Sequence, residues 1–106
     1  MILTRGTTPV LNFETPLSTS QFKECFITLK QNTLPYTIIE KTIEDININS
    51  DKDNQFSITL NQDETLSLNE EEILYIQLRV KTQDEKAYAT EIFEVEVADI
   101  LKEGAI

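Results

Sequence analysis

Asp45, Asn47, Asn49, Asp51 and Asp53 place oxygen-bearing side chains at alternate positions of one polar stretch, the spacing at which a loop gathers ligands for a hard cation such as calcium. Read as an EF-hand from Asp45, the loop has Ser50 where the turn glycine belongs and Phe56 where the bidentate glutamate belongs. The two most specific positions fail, so no tight calcium site is expected. A solvated strand face running into a polar turn accounts for the same residues. Carboxylates also gather at Asp63-Glu64, Glu70-Glu71-Glu72 and Asp84-Glu85, where acid/base work or glycoside hydrolysis would need a pair. Each group lies at a turn, away from any apolar pocket that would raise one carboxyl's pKa, and reads as solubilising surface charge.

Histidine and tryptophan are absent. That removes the commonest general base, the commonest zinc ligand and the usual partner of a nucleophilic serine or cysteine. Cys25 is the only cysteine, so no intrachain disulfide can form, and on an apparent strand it reads as a small buried hydrophobe. No glycine loop cradles a phosphate. The sequence therefore assigns no catalytic residue, no metal ligand and no cofactor, and an enzyme is not expected.

The elements that must position these residues are strands. Ile73 to Lys81 alternates Leu74, Ile76, Leu78 and Val80 with Tyr75, Gln77, Arg79 and Lys81, the two-residue period of a half-buried strand. Ala87 to Val97 alternates likewise after the break 82–86, so the pair predicts a β-hairpin. Phe22 to Gln31, with Cys25, Ile27 and Leu29 on one face, predicts a further strand, paired as a hairpin with Tyr36 to Ile43 across the break Asn32-Thr33-Leu34-Pro35. Val10, Leu11 and Phe13 lie between Pro9 and Pro16 and predict a short edge strand. Between Glu44 and Gln55 the first half alternates and predicts a short strand, the second half is turn-like, a strand follows through Phe56, Ile58 and Leu60, and Asn61 can cap one helical turn ahead of Asp63 and Glu64.

These elements predict an all-β fold: a single antiparallel β-sandwich of about seven strands, immunoglobulin-like in general architecture, with at most a short helical turn. Its core is expected to contain Ile27, Leu29, Phe56, Ile58, Ile76, Leu78, Val80, Phe93 and Val95. At 106 residues the chain suffices for one domain with one core. The sandwich is placed at residues 1–98 and a C-terminal tail at 99–106. Removing that tail, beyond the last predicted strand, is expected to leave the thermal midpoint nearly unchanged.

The formal charge is −10, from 19 acidic and 9 scattered basic residues. Nucleic-acid binding needs clustered Lys and Arg, and an acidic surface repels anionic membranes, so neither is an expected partner. No run approaches a spanning helix and the N-terminus lacks the apolar core of a secretion signal. The tail asks for more, since Ile100, Leu101 and Ile106 carry apolar side chains past the last strand. They either fold back on the core or dock on another protein or another copy.

Arg5-Gly6-Thr7-Thr8-Pro9 with Phe13 downstream, Thr28-Leu29-Lys30-Gln31, Thr59-Leu60-Asn61-Gln62-Asp63-Glu64-Thr65-Leu66, Ile76-Gln77-Leu78-Arg79-Val80 and the closing 100–106 form an ordered set. Together they resemble small structural proteins of tailed phages and prophages of Gram-positive bacteria. The opening is similar to the start of the N-terminal β-sandwich domain of upper baseplate proteins. The resemblance implies a non-enzymatic tail or baseplate-region component, made in the bacterial cytoplasm and carried into the virion. Its partners would be other phage structural proteins or copies of itself, in a homo-oligomer or larger assembly, and the chain's length suits an adaptor better than an adhesin. Candidate contact residues are Thr7, Thr8 and Pro9 at the opening and Ile100, Leu101 and Ile106 at the tail. The alternative is a small β-sandwich that binds a metal ion or carbohydrate through the polar loop 49–55.

Overall fold

Strict alternation builds the two longest strands. The computed structural model describes residues 2–32 and 37–106, and Phe22–Gln31 (β3) and Ile73–Thr82 (β7) run antiparallel at the centre of the larger sheet. Ile27 faces Leu78 and Leu29 faces Ile76, so both strands turn the same apolar set to one side. Around them come β1 (Ile2–Thr4), β2 (Val10–Glu14), β4 (Thr37–Thr42), β5 (Asn47–Ile48), β6 (Gln55–Thr59), β8 (Ala87–Ala89) and β9 (Phe93–Ala98). The larger sheet runs β1-β9-β7-β3-β4, with β8 also on β7; the smaller runs β2-β6-β5. The chain is an all-β sandwich, with one short α-helix among the described residues, α1 (Gln62–Leu66).

β3 and β4 pair antiparallel as expected. The turn between them and the expected strand start at Tyr36 lie, Asn32 apart, outside the described residues. Asn61 caps α1 as its sequence suggests. Its side chain accepts from the Glu64 N–H at 2.8 Å, and the Glu64 carboxylate accepts from the Asn61 N–H at 2.9 Å.

Nine strands are described, against about seven expected. One extra is β1, which joins β9 in parallel register, Leu3 beside Val97, and adds a parallel edge to an otherwise antiparallel sheet. Three residues are too few to display a period, yet Leu3 is among the most deeply buried side chains. The second extra arises because the run 87–97 breaks in two. Lys81, Val80 and Arg79 pair with β8 and Ile76 pairs with Phe93, so Gln77 and Leu78 face Thr90, Glu91 and Ile92. That one-residue excess is a bulge, and Thr90 closes it by donating its N–H to the Leu78 carbonyl and accepting the Leu78 N–H on its hydroxyl.

The core lies between the sheets. Phe56 stacks on Phe13 at 5.2 Å between centroids and meets the edge of Phe22 at 5.9 Å, joining both sheets. Ile27, Leu29, Ile58, Ile76, Leu78, Val80 and Val95 are buried as expected. Phe93 is not: it is 47% exposed. Its pairing with Ile76 puts it on the predicted face, but it stands where that side of the sandwich is left open. Gln31, fully buried, is the polar exception and is satisfied through the Asn69 backbone, donating to its carbonyl and accepting from its N–H, each at 2.8 Å.

Candidate functional site

The two candidate contact segments meet at one corner, and Arg5 holds them there. Its Nε donates to the Leu68 carbonyl at 2.9 Å and its Nη2 to the Leu66 carbonyl at 2.9 Å, fixing the end of α1. Its Nη1 reaches Asp99 at 2.7 Å and Glu103 at 2.6 Å. One buried guanidinium thus ties the opening turn, the helix and the tail. The carboxylates of Glu103 and Asp99 push the Arg5 pKa still higher. The Ile100 N–H and, after it, Arg5 hold the Asp99 carboxyl below its ordinary value.

Gly6 completes the corner. It has a φ of +72°, a conformation that favours glycine, and a Cβ there would sit a tight 3.1 Å from Ile100 Cδ1. Thr7 spends its hydroxyl on the Thr4 carbonyl at 2.6 Å, and its own carbonyl accepts from the buried Thr65 hydroxyl at 2.8 Å. Thr8 is exposed, and the Pro9 carbonyl accepts from the Leu60 N–H at 3.1 Å. The opening turn is therefore rigidly held while the side-chain surfaces of Thr7 and Thr8 face outward.

The tail divides. Ile100 packs in cis against the Gly6 turn, whereas Leu101 and Ile106 are fully exposed. Because Asp99 and Glu103 bond the buried Arg5 and Ile100 packs on the Gly6 turn, removing 99–106 is now expected to lower the thermal midpoint, where the sequence led us to expect it nearly unchanged. Arg5 as organiser was not foreseen. The only available signal was a lone arginine in a basic-poor opening set against an acidic tail.

Within the oxygen-rich stretch 45–53, the Asp45 and Asn49 side chains are spent on local turns. Asp45 accepts from the Thr42 N–H at 2.8 Å, closing the turn Ile43–Asp45. Asn49 accepts from the Asp51 N–H at 2.9 Å and donates to Gln55 at 3.2 Å. Among the described residues no three His, Cys, Asp or Glu side chains cluster as a metal would need. The acidic pairs find basic neighbours instead: Glu64 meets Lys41 at 2.7 Å, and Glu85 bonds Lys23 and Lys81, which hold its pKa down to about 2. Among the described residues no helix is long and apolar enough to cross a membrane.

Cys25 is buried, and burial pushes its thiol up to about 11. The native protein is expected to resist a thiol-directed disulfide reagent at neutral pH and to react stoichiometrically once unfolded in urea. Fast labelling of the folded protein would contradict that. No known protein-family model matches the chain, and no curated protein matches it either.

Proposed function

We propose that this chain is a non-enzymatic structural or assembly module of a phage or prophage virion, acting through protein-protein contacts in the tail or baseplate region. The observation that carries the contact role is the divided tail. Arg5 and Gly6 fix residues 99–103 against the body, and the same clip holds Leu101 out in solvent, with Ile106 beyond it. Anchoring a segment lowers the entropy cost of docking it, so a clipped tail with outward apolar side chains suits a partner-binding role. The placement in a virion rests on the sequence resemblance. Its partners on this reading are other virion proteins or copies of itself.

Leu101→Ser combined with Ile106→Ser tests the contact without touching the clip. The double variant is expected to lose at least about tenfold in affinity, ~1.4 kcal/mol, for itself or for a tail component, while its thermal midpoint stays unchanged. Unaltered association in sedimentation would place the contact surface elsewhere.

A second reading draws on a concavity of about 430 Å³ beside the polar loop, lined by Asn12, Glu14, Asn47, Gln55 and Ser57 as well as Phe13. Amide and carboxylate groups around a shallow dish suit a carbohydrate. Saturable binding of an oligosaccharide in calorimetry, abolished by Asn47→Ala, would favour it.

A further inference from the structure

The side of the sandwich opposite the β5 edge is open, and its opening has the properties of a strand acceptor. A groove of about 310 Å³ separates β2 from the larger sheet, with Leu11 and Phe13 on one wall and Ile76, Leu78, Phe93 and Val95 on the other. It continues past Leu78 and Thr90 into a second hollow of about 240 Å³ that reaches Leu17 and Tyr88. The bulge at 90–92, between β8 and β9, borders the groove, with Thr90 in its lining beside Ile76 and Leu78.

β2 offers this groove an unpaired backbone. Leu60 donates to Pro9 and Thr15 donates to Asn54, and with the β2–β6 register these bonds set the phase of the ladder. Pro9, Leu11, Phe13 and Thr15 therefore turn their backbone groups toward β6, and Val10, Asn12 and Glu14 turn theirs to the free edge. The outward groups repeat every second residue, as an added strand requires.

Charge selects the occupant. Glu14 and Glu94 border the groove, no Lys or Arg among the described residues lines either part of it, and the chain as a whole carries −10. A second copy would bring like charge to an acidic rim. We infer that the free edge of β2 and the groove beside it accept an extended segment of a different protein, with apolar residues at alternate positions and lysine or arginine at its ends. The segment bonds Val10, Asn12 and Glu14 through its backbone and buries alternate side chains against Phe13 and Phe93. This surface is separate from the tail corner, and the inference stands whether or not the chain belongs to a virion.

The test uses the full chain and two synthetic peptides of about nine residues, valine alternating with threonine, one ending in lysines and the other in glutamates. The lysine peptide is expected to bind saturably and at least about tenfold more tightly than the glutamate peptide at low salt, with amide shifts centred on Val10–Glu14 and Phe93–Val95. Asn12→Pro removes one outward N–H and no bond to β6, so it should weaken the lysine peptide about tenfold while leaving the fold intact. Glu14→Lys with Glu94→Lys should invert the peptide preference, an outcome that does not depend on the proline variant folding. Absence of saturable binding, equal affinity for both peptides, or shifts confined to other strands would overturn the inference. A homodimer dissolved by Asn12→Pro would also overturn it, in favour of a second copy as the occupant.

Discussion

Phe56→Ala is expected to destabilise the protein by on the order of 3–5 kcal/mol, the usual cost of truncating a buried phenylalanine. Phe56 sits on the smaller sheet, is nearly inaccessible to solvent, and touches Phe13 beside it and Phe22 on the larger sheet. Its removal leaves a void between the layers that neither edge can collapse into, because β3 and β6 are each held between two neighbouring strands. A domain of this size has a total stability of about 5–15 kcal/mol, so the variant would be marginal at physiological temperature. Urea unfolding measures it. A loss below about 1 kcal/mol would mean that the two sheets do not share one core at this residue.

Arg5→Met is expected to cost about 2–4 kcal/mol, and the partition of that cost is itself informative. The ion-pair share is small, since the Asp99 and Glu103 side chains are 44% and 65% exposed and solvent screens them. The larger share comes from the Leu66 and Leu68 carbonyls, which lose a charged donor inside the structure. Acid adds a second readout. Asp99 has a lowered folded pKa, so its contribution is present above the ordinary carboxylate value of ~4 and fades as pH falls from there through the folded value, while Arg5 remains charged. The Ile100 N–H is the larger cause of that lowering and Arg5 the second, so Arg5→Met removes only part of the acid sensitivity, and wild-type protein should lose somewhat more stability on acidification than the variant. Equal acid sensitivity would mean that the clip does not hold the tail in solution.

Legibility followed the range of the determining interaction. β3 and β7 could be read because burial alternates within each strand, and α1 because Asn61 and Glu64 sit three residues apart. β1 could not, since its place depends on pairing with β9 at the far end of the chain. Arg5 was illegible for the same reason, its carboxylate partners lying 94 and 98 residues away. Phe93 shows the limit most clearly. Alternation gave its face correctly, but its exposure depends on where β2 ends relative to the larger sheet, and no local period encodes that. The bulge at Thr90 was hidden because the alternation from Phe93 to Val97 reads on as one strand with Ala87 to Ala89.

The candidate site was half legible. Ile100, Leu101 and Ile106 stood out as apolar residues beyond the last strand, but that Ile100 folds back, beside Gly6 and Leu66, depends on a turn at the opposite end of the chain. Thr7 looked like a contact residue from its motif and proves to be a turn residue as well, with its hydroxyl already engaged.

The central claim is that the chain works by joining a particle. It is tested most directly by quantitative mass spectrometry of particles purified through a density gradient from a strain that encodes the chain. The account predicts that peptides of this chain band with the tail proteins at a constant ratio across the particle peak, and that Leu101→Ser with Ile106→Ser removes them from that peak. Recovery of the wild-type chain only in the soluble fraction, with intact particles banding without it, would contradict the account.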